Sequence, residues 1–236
     1  MQGQSQSEKR TLKLGDEAHF FRSLVSAPRL TGAVAPSGRA LAREMAAAVS
    51  PAAHGLVIEL GPGTGPVTRA LIERGVAKER LVLIEYDPGF CRILRQRFAP
   101  AAIIQGDAYD LPAALAAFAG EPIAAVVSSL PLLNQPPHRR EKLIDDAFAL
   151  MGPDGVFVQF TYGLLSPIPR DVCLNRYSAR RSAPIWLNVP PARVWTYRLD
   201  AHAGGSDAAD PTPERKALRL KLDWARKGVR GRGSLT

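Results

Sequence analysis

Residues 56–65 read Leu-Val-Ile-Glu-Leu-Gly-Pro-Gly-Thr-Gly, and no other stretch of the chain restricts its fold as much. An apolar run carries an acid at Glu59 and then breaks into Gly61, Gly63 and Gly65. A helical pattern follows, opening on Pro66. A buried strand that turns sharply through glycines lets a ligand lie against bare backbone, because no Cβ holds it off. The helix behind the turn aims its free N–H groups at the same place, and proline at its first position loses no hydrogen bond there.

Spacing decides what such a loop holds. The dinucleotide fingerprint is G-x-G-x-x-G, whereas the glycines here fall at every second position, with Thr64 between the last two. The acid at Glu59 precedes the loop, where it would repel a pyrophosphate and suit a ligand carrying positive charge. S-adenosylmethionine, with an ammonium and a sulfonium, is such a ligand. Residues 81–87 are a second apolar run ending in an acid, Glu85, with Tyr86 after it and Glu85 twenty positions beyond Gly65. A carboxylate at that distance is placed to accept ribose hydroxyls. Residues 102–108 form a third short run, tipped by Asp107 for an adenine amino group and by the Ala108 amide for the ring. Three acids in succession, each at the end of a predicted strand, describe an adenosine cradle.

The rest of the pattern alternates. Strands are expected at 56–60, 81–85, 102–105, 123–128 and 155–161, and helices at 39–49, 66–75, 88–98, 112–119 and 138–151. Such alternation predicts a parallel sheet with right-handed crossovers. Residues 170–182 read as a short helix with loops. The apolar runs 185–189 and 193–197, on either side of Pro190 and Pro191, read as a closing hairpin. The expected fold class is α/β: a Rossmann-like, seven-stranded, mostly parallel sheet with helices on both faces and a terminal antiparallel hairpin.

With 236 residues, 46% of them hydrophobic, and a mean hydropathy of −0.08, the chain is neither disordered nor built of membrane spans. Its polar start has no apolar signal core, which points to the cytoplasm. Cys91 and Cys173 lie in unrelated segments and read as ordinary thiols rather than a metal site. The net charge of +9 is uneven: from Arg215 to Thr236 eight Lys/Arg and one Asp give +7, leaving +2 for everything else. That basic tail suits nucleic acid or an anionic membrane, and equally a solvated terminus. Residues 14–25 form an amphipathic helical pattern before Pro28, whose apolar stripe needs either the core or a lipid surface. The expected organisation is therefore 1–29, an amphipathic segment; 30–200, the ligand-binding domain; and 201–236, a linker and basic tail.

The glycine loop and the three acids resemble class I S-adenosylmethionine-dependent methyltransferases. Residues 128–133, Ser-Ser-Leu-Pro-Leu-Leu, stand where the ribosomal RNA adenine dimethyltransferases carry an Asn or Asp, then Pro or Leu, Pro and an aromatic. Here Ser129 replaces the amide or acid and Leu132 the aromatic. A flipped base would thereby lose a stacking contact of roughly 1–3 kcal/mol. Nucleic acid is disfavoured as substrate on that ground. Residues 32–37, 59–65, 129–132, 159–163 and 188–195 together resemble the soluble bacterial phospholipid N-methyltransferases. The resemblance implies stepwise methylation of phosphatidylethanolamine toward phosphatidylcholine, with S-adenosylhomocysteine as by-product. It also implies an N-terminal helix that binds an anionic membrane, and so a place at the inner face of the cytoplasmic membrane.

The expected cofactor set is Ser37, Glu59, Gly61, Gly63, Thr64, Gly65, Glu85, Tyr86, Asp107, Ala108, Ser128 and Ser129. Leu130, Arg139 and Arg180 are the expected substrate contacts, the arginines for the lipid phosphate. Tyr162 is expected to orient the amine or hold its methylated cation, and His19 to accept a proton. Two rivals stay open: a methyltransferase acting on nucleic acid, such as an rRNA adenine N6-methyltransferase, and a cofactor-binding protein without turnover.

Overall fold

The computed structural model describes residues 36–169, 172, 176–188 and 191–200. The expected N-terminal helix with His19, residue Cys173 and the basic tail lie outside them.

Among the described residues, twelve α-helices and β-strands build one sheet and its cover. They are α1 (Pro36–Ala47), β1 (Leu56–Leu60), α2 (Pro66–Glu73), β2 (Leu81–Glu85), α3 (Pro88–Phe98), β3 (Ala102–Gln105), α4 (Leu111–Ala114), β4 (Ile123–Ser128), α5 (Pro137–Met151), β5 (Val156–Thr161), β6 (Tyr177–Arg181) and β7 (Arg193–Leu199). The strand order is β3-β2-β1-β4-β5-β7-β6. The first five strands are parallel and β7 runs antiparallel between β5 and β6. This is the α/β architecture expected, with its order reversing between β1 and β4. At that switch the crossover helices leave the sheet to opposite faces and open a crevice at the carboxyl edge.

Alternation along each strand feeds two cores. Val57, Leu81, Leu83, Val127 and Val158 face Met45, Leu71, Leu94 and Phe98 from α1, α2 and α3. Ile58, Leu60, Ile84, Val126 and Phe157 face Leu111, Leu143, Ile144 and Phe148 from α4 and α5. Central strands buried on both sides read as continuous apolar runs, which is why β1 and β2 are so plain in the sequence.

Three elements differ from expectation. The helix expected at 39–49 starts at Pro36, a residue suited to a first turn, and stops at Ala47. The helix expected at 112–119 is the four-residue α4 followed by a 3-10 turn over Ala116–Phe118. Asp110 gives it no side-chain cap, and of α4 only Leu111 is buried, so little packing holds a longer helix. The first strand of the hairpin is β6, at 177–181, instead of 185–189. Pro184 and Pro190 cannot donate to a ladder, and of the described residues between them only Ile185 bridges, to Ala192. β6 is an edge strand with only Tyr177 buried, so its polar sequence hides it.

Candidate functional site

The glycine loop sits at the switch point, held by its own backbone and by an acid from the next strand. Gly61 N–H donates to the Ile84 carbonyl (2.9 Å) and Gly65 N–H to the Pro62 carbonyl (2.9 Å). Gly63 N–H donates to Glu85 Oε2 (2.9 Å), while Glu85 Oε1 accepts from Asp87 N–H (2.9 Å). The acid expected at a ribose thus also fixes the middle of the loop. Each of its oxygens keeps a further lone pair for a hydroxyl.

Gly63 has φ +58°, and a Cβ there would meet nothing within 4 Å, so its bare Cα faces open space. Gly65 differs: at φ +83° it caps α2, and a Cβ would lie 2.2 Å from Phe98 Cε2. One glycine leaves room for a ligand; the other lets α2 and α3 close.

Glu59 points into the α2 side of the sheet and is wholly buried. Its Oε2 accepts from the Thr68 hydroxyl (2.6 Å), and its Oε1 has no partner. Burial pushes its carboxyl up to about 8, against the lowering effect of the Thr68 hydrogen bond. A buried acceptor left unpaired beside a bare-backbone turn is a place for a cationic donor. Tyr86, after β2, is largely exposed.

Asp107 stands exposed beyond β3, where its Oδ1 accepts from Tyr109 N–H (2.9 Å). Its Oδ2 lies 3.5 Å from Arg139. Arg139 also donates to Gln135 Oε1 (2.9 Å) and lies 4.5 Å over the Tyr109 ring. Arg139, expected at a lipid phosphate, therefore stands with the acid expected at the adenine. Ala108 is buried beside it.

At the tip of β4, Ser128 is buried and its hydroxyl faces Leu130 N–H (3.4 Å), while Ser129 N–H donates to the Leu60 carbonyl (2.9 Å). A Cβ on Gly61 would be 3.0 Å from Leu130 Cδ2, so Leu130 rests on the glycine loop. Gln159, buried in β5, donates from Nε2 to the Leu130 carbonyl (2.9 Å) and its Oε1 is unpartnered. It was not among the expected site residues, although a glutamine inside the apolar run of β5 marks it. Tyr162 follows β5, half-buried, with its ring edge-on to Phe160 at 5.6 Å. Its hydroxyl makes no hydrogen bond to the described residues. Arg180 is set apart on edge strand β6, in a shallow cleft with Glu44, Ala47 and Ala48 of α1 and its exit. Ser37 lies in the first turn of α1.

A family model described as a methyltransferase domain matches residues 57–155, from β1 to the start of β5. Residues 57–155 are thus similar to methyltransferase domains. An ornithine lipid N-methyltransferase of Singulisphaera acidiphila is 34% identical over 99 residues, which are 41% of this chain and 52% of that protein. The match thus spans about half the length of that relative. Among solved structures, a 1,6-didemethyltoxoflavin-N1-methyltransferase of Burkholderia thailandensis with bound S-adenosylhomocysteine aligns at TM-score 0.58. The identity there is 16%, over 82% of this chain and 89% of that one. The glycopeptide N-methyltransferase MtfA, also with S-adenosylhomocysteine, aligns at 0.52 and 16% identity, over 69% and 90%. These likenesses show the class I methyltransferase fold. The site fits S-adenosylmethionine as a cofactor: the Gly63 face is open, Glu59 keeps an orphaned acceptor, and Glu85 and Asp107 stand in line along the edge. Among the described residues no helix is long and apolar enough to cross a membrane.

Proposed function

We propose that this methyltransferase methylates the amine of a membrane lipid headgroup, with phosphatidylethanolamine as substrate and its mono- and dimethyl forms as intermediates toward phosphatidylcholine. The observation that carries the reading is the 34% identity, over 99 residues, to an enzyme named for N-methylation of a lipid. The transfer-site side chains agree with it. Leu132 turns inward and is 1% exposed, so the segment after β4 offers a base no aromatic platform.

Bound along the carboxyl edge, S-adenosylmethionine supplies an electrophilic methyl on sulfur. The protein supplies alignment and a dry site, and alignment alone is worth about 7–11 kcal/mol. Glu59 meets the cofactor's ammonium, Glu85 its ribose and Asp107 its adenine. Gln159 fixes the Leu130 carbonyl that walls the transfer site. Tyr162 orients the incoming amine, which must be neutral to hold a lone pair. His19 is the proposed proton acceptor, and the segment 1–29 the proposed attachment to an anionic membrane at the cytoplasmic inner face.

Ornithine lipid is the second reading, favoured by the same relative. Both substrates present a primary amine at the bilayer surface. Labelled S-adenosylmethionine is incubated with vesicles of either lipid, and with ribosomal RNA, and lipids are separated by thin-layer chromatography. Label is expected in mono-, di- and trimethylated phosphatidylethanolamine. Label in ornithine lipid alone moves the assignment to the second reading. Label in RNA with none in lipid overturns both.

A further inference from the structure

The carboxyl edge carries apolar side chains that the transfer reaction does not explain. Leu133 lies in the turn between β4 and α5, Leu164 and Leu165 follow β5, and Trp186 and Leu187 lie between β6 and β7. β7 runs back along β5, pairing Arg193 with Thr161, so the β6–β7 connection returns to the edge where β5 ends. The five side chains are 51, 76, 80, 75 and 64% exposed. Leu133 and the turn after β5 adjoin, since a Cβ on Gly163 would lie 3.0 Å from Leu133 Cδ1 and 3.9 Å from the Leu165 carbonyl oxygen.

These tips are held outward. Arg140 donates to the Pro167 carbonyl (2.6 Å), and the Ser166 hydroxyl bonds the Tyr197 hydroxyl (2.9 Å), so the β5 turn is anchored just past its two leucines. The segments that bear the tips, residues 129–140, 162–169 and 180–193, contain five arginines and no acid; Arg139 pairs with Asp107, and Glu44 of α1 shares the cleft of Arg180 and Arg181, which leaves the balance cationic. Arg180 and Arg181 are exposed. Apolar tips in a cationic collar are complementary to one kind of surface, an anionic bilayer, with tryptophan at headgroup depth and leucines below it.

We propose that the carboxyl edge is itself a bilayer-docking surface: Leu133, Leu164, Leu165, Trp186 and Leu187 enter the interfacial layer of an anionic membrane, with Arg180 and Arg181 on its phosphates. The proposal rests on the lipid-amine reading and adds an orientation to it. The strand ends face the membrane, so a headgroup meets the methyl without leaving the lipid surface. The segment 1–29 is then a second attachment and not the sole one.

The full chain is tested on vesicles of phosphatidylcholine and phosphatidylglycerol, which hold no methyl-accepting amine. Docking is thereby read apart from turnover, and a failure to methylate lipid leaves this result standing. The L164S/L165S and W186S/L187S variants are each expected to bind these vesicles roughly tenfold more weakly. Calorimetric affinity for S-adenosylhomocysteine and melting temperature should stay unchanged, which excludes misfolding. Brominated lipid should quench the tryptophan emission of the wild type, and W186F should lose that quenching while still binding. Wild-type vesicle affinity in both double variants overturns the proposal. So does a wild-type dimer that the variants dissociate, which makes the patch a self-contact. Variants that bind normally until residues 1–29 are removed overturn it as well, because that segment then covers the patch.

Discussion

The two edges of the same sheet are built on opposite rules. At the amino edge, backbone and side chains satisfy one another. The Arg80 guanidinium donates to the carbonyls of Gly55 and Pro51 (2.7 Å each) and of Ala53, and Arg74 to that of Val49 (3.0 Å). Leu56 N–H closes on the Pro122 carbonyl (2.7 Å). At the carboxyl edge, Glu59 and Gln159 each hold a buried oxygen with no partner. Six of the seven large apolar side chains that stand exposed among the described residues are there too, Leu199 being the exception. An edge that leaves polar atoms unpaired and apolar tips bare has been left incomplete for a ligand and a surface to finish. The difference teaches where stability and function are stored: substitutions at one edge should cost folding, and at the other, binding.

The largest effect is expected at Glu85. Glu85→Ala removes the acceptor for two backbone N–H groups, each charge-assisted bond being worth about 1.5–3 kcal/mol. Calorimetry should show S-adenosylhomocysteine affinity falling by roughly 100-fold or more. An affinity within threefold of wild type would mean that the loop holds its shape without the acid.

Gly65→Ala comes next, and blurs the contrast because this residue of the carboxyl-edge loop serves packing. Its Cβ collides with Phe98 and its φ is left-handed, so about 1–3 kcal/mol of stability should be lost. At about 2–4 °C per kcal/mol for a chain of this size, thermal denaturation will resolve that loss.

Arg80→Ala tests the amino edge alone. Unpairing its three carbonyls should cost about 1–3 kcal/mol and lower the melting temperature, with cofactor affinity untouched. A change in affinity without a change in melting would erase the distinction between the edges.

The last test is a pH dependence. Burial raises the Glu59 carboxyl from 4.5 to about 8, so between those values the folded chain holds a proton that the unfolded chain has released. Stability therefore falls as pH rises through that window and levels off above it. Glu59→Gln keeps an acceptor for Thr68 and does not titrate. Its melting temperature relative to wild type should climb from pH 5 to pH 8; a constant difference would show that Glu59 is ionised throughout.

Most of the parallel half was legible because β1, β2 and β4 are buried on both faces and the helices open on proline or after an acid. β1, β2, β3 and β4 lie where the apolar runs put them, and Asp87 caps α3 through Gly89 and Phe90. The antiparallel end was not, because β6 is covered on one face only and its sequence, Tyr-Ser-Ala-Arg-Arg, looks like a loop. At the site, the three acids and the glycines were readable as a linear series. The partnership of Arg139 with Asp107, Gln135 and Tyr109 was not, since it joins residues from β3 and α5 that only the fold brings together. Gln159 was half-visible: its oddity in β5 could be seen, its grip on Leu130 could not.

The insertion of β7 between β5 and β6 has a consequence for synthesis. Until residues 193–199 leave the ribosome, β5 presents an open ladder edge, with the apolar Val156, Phe157 and Val158 along it. A chain stopped before Arg193 should therefore co-sediment as aggregates, whereas one extended to residue 200 should stay in the supernatant.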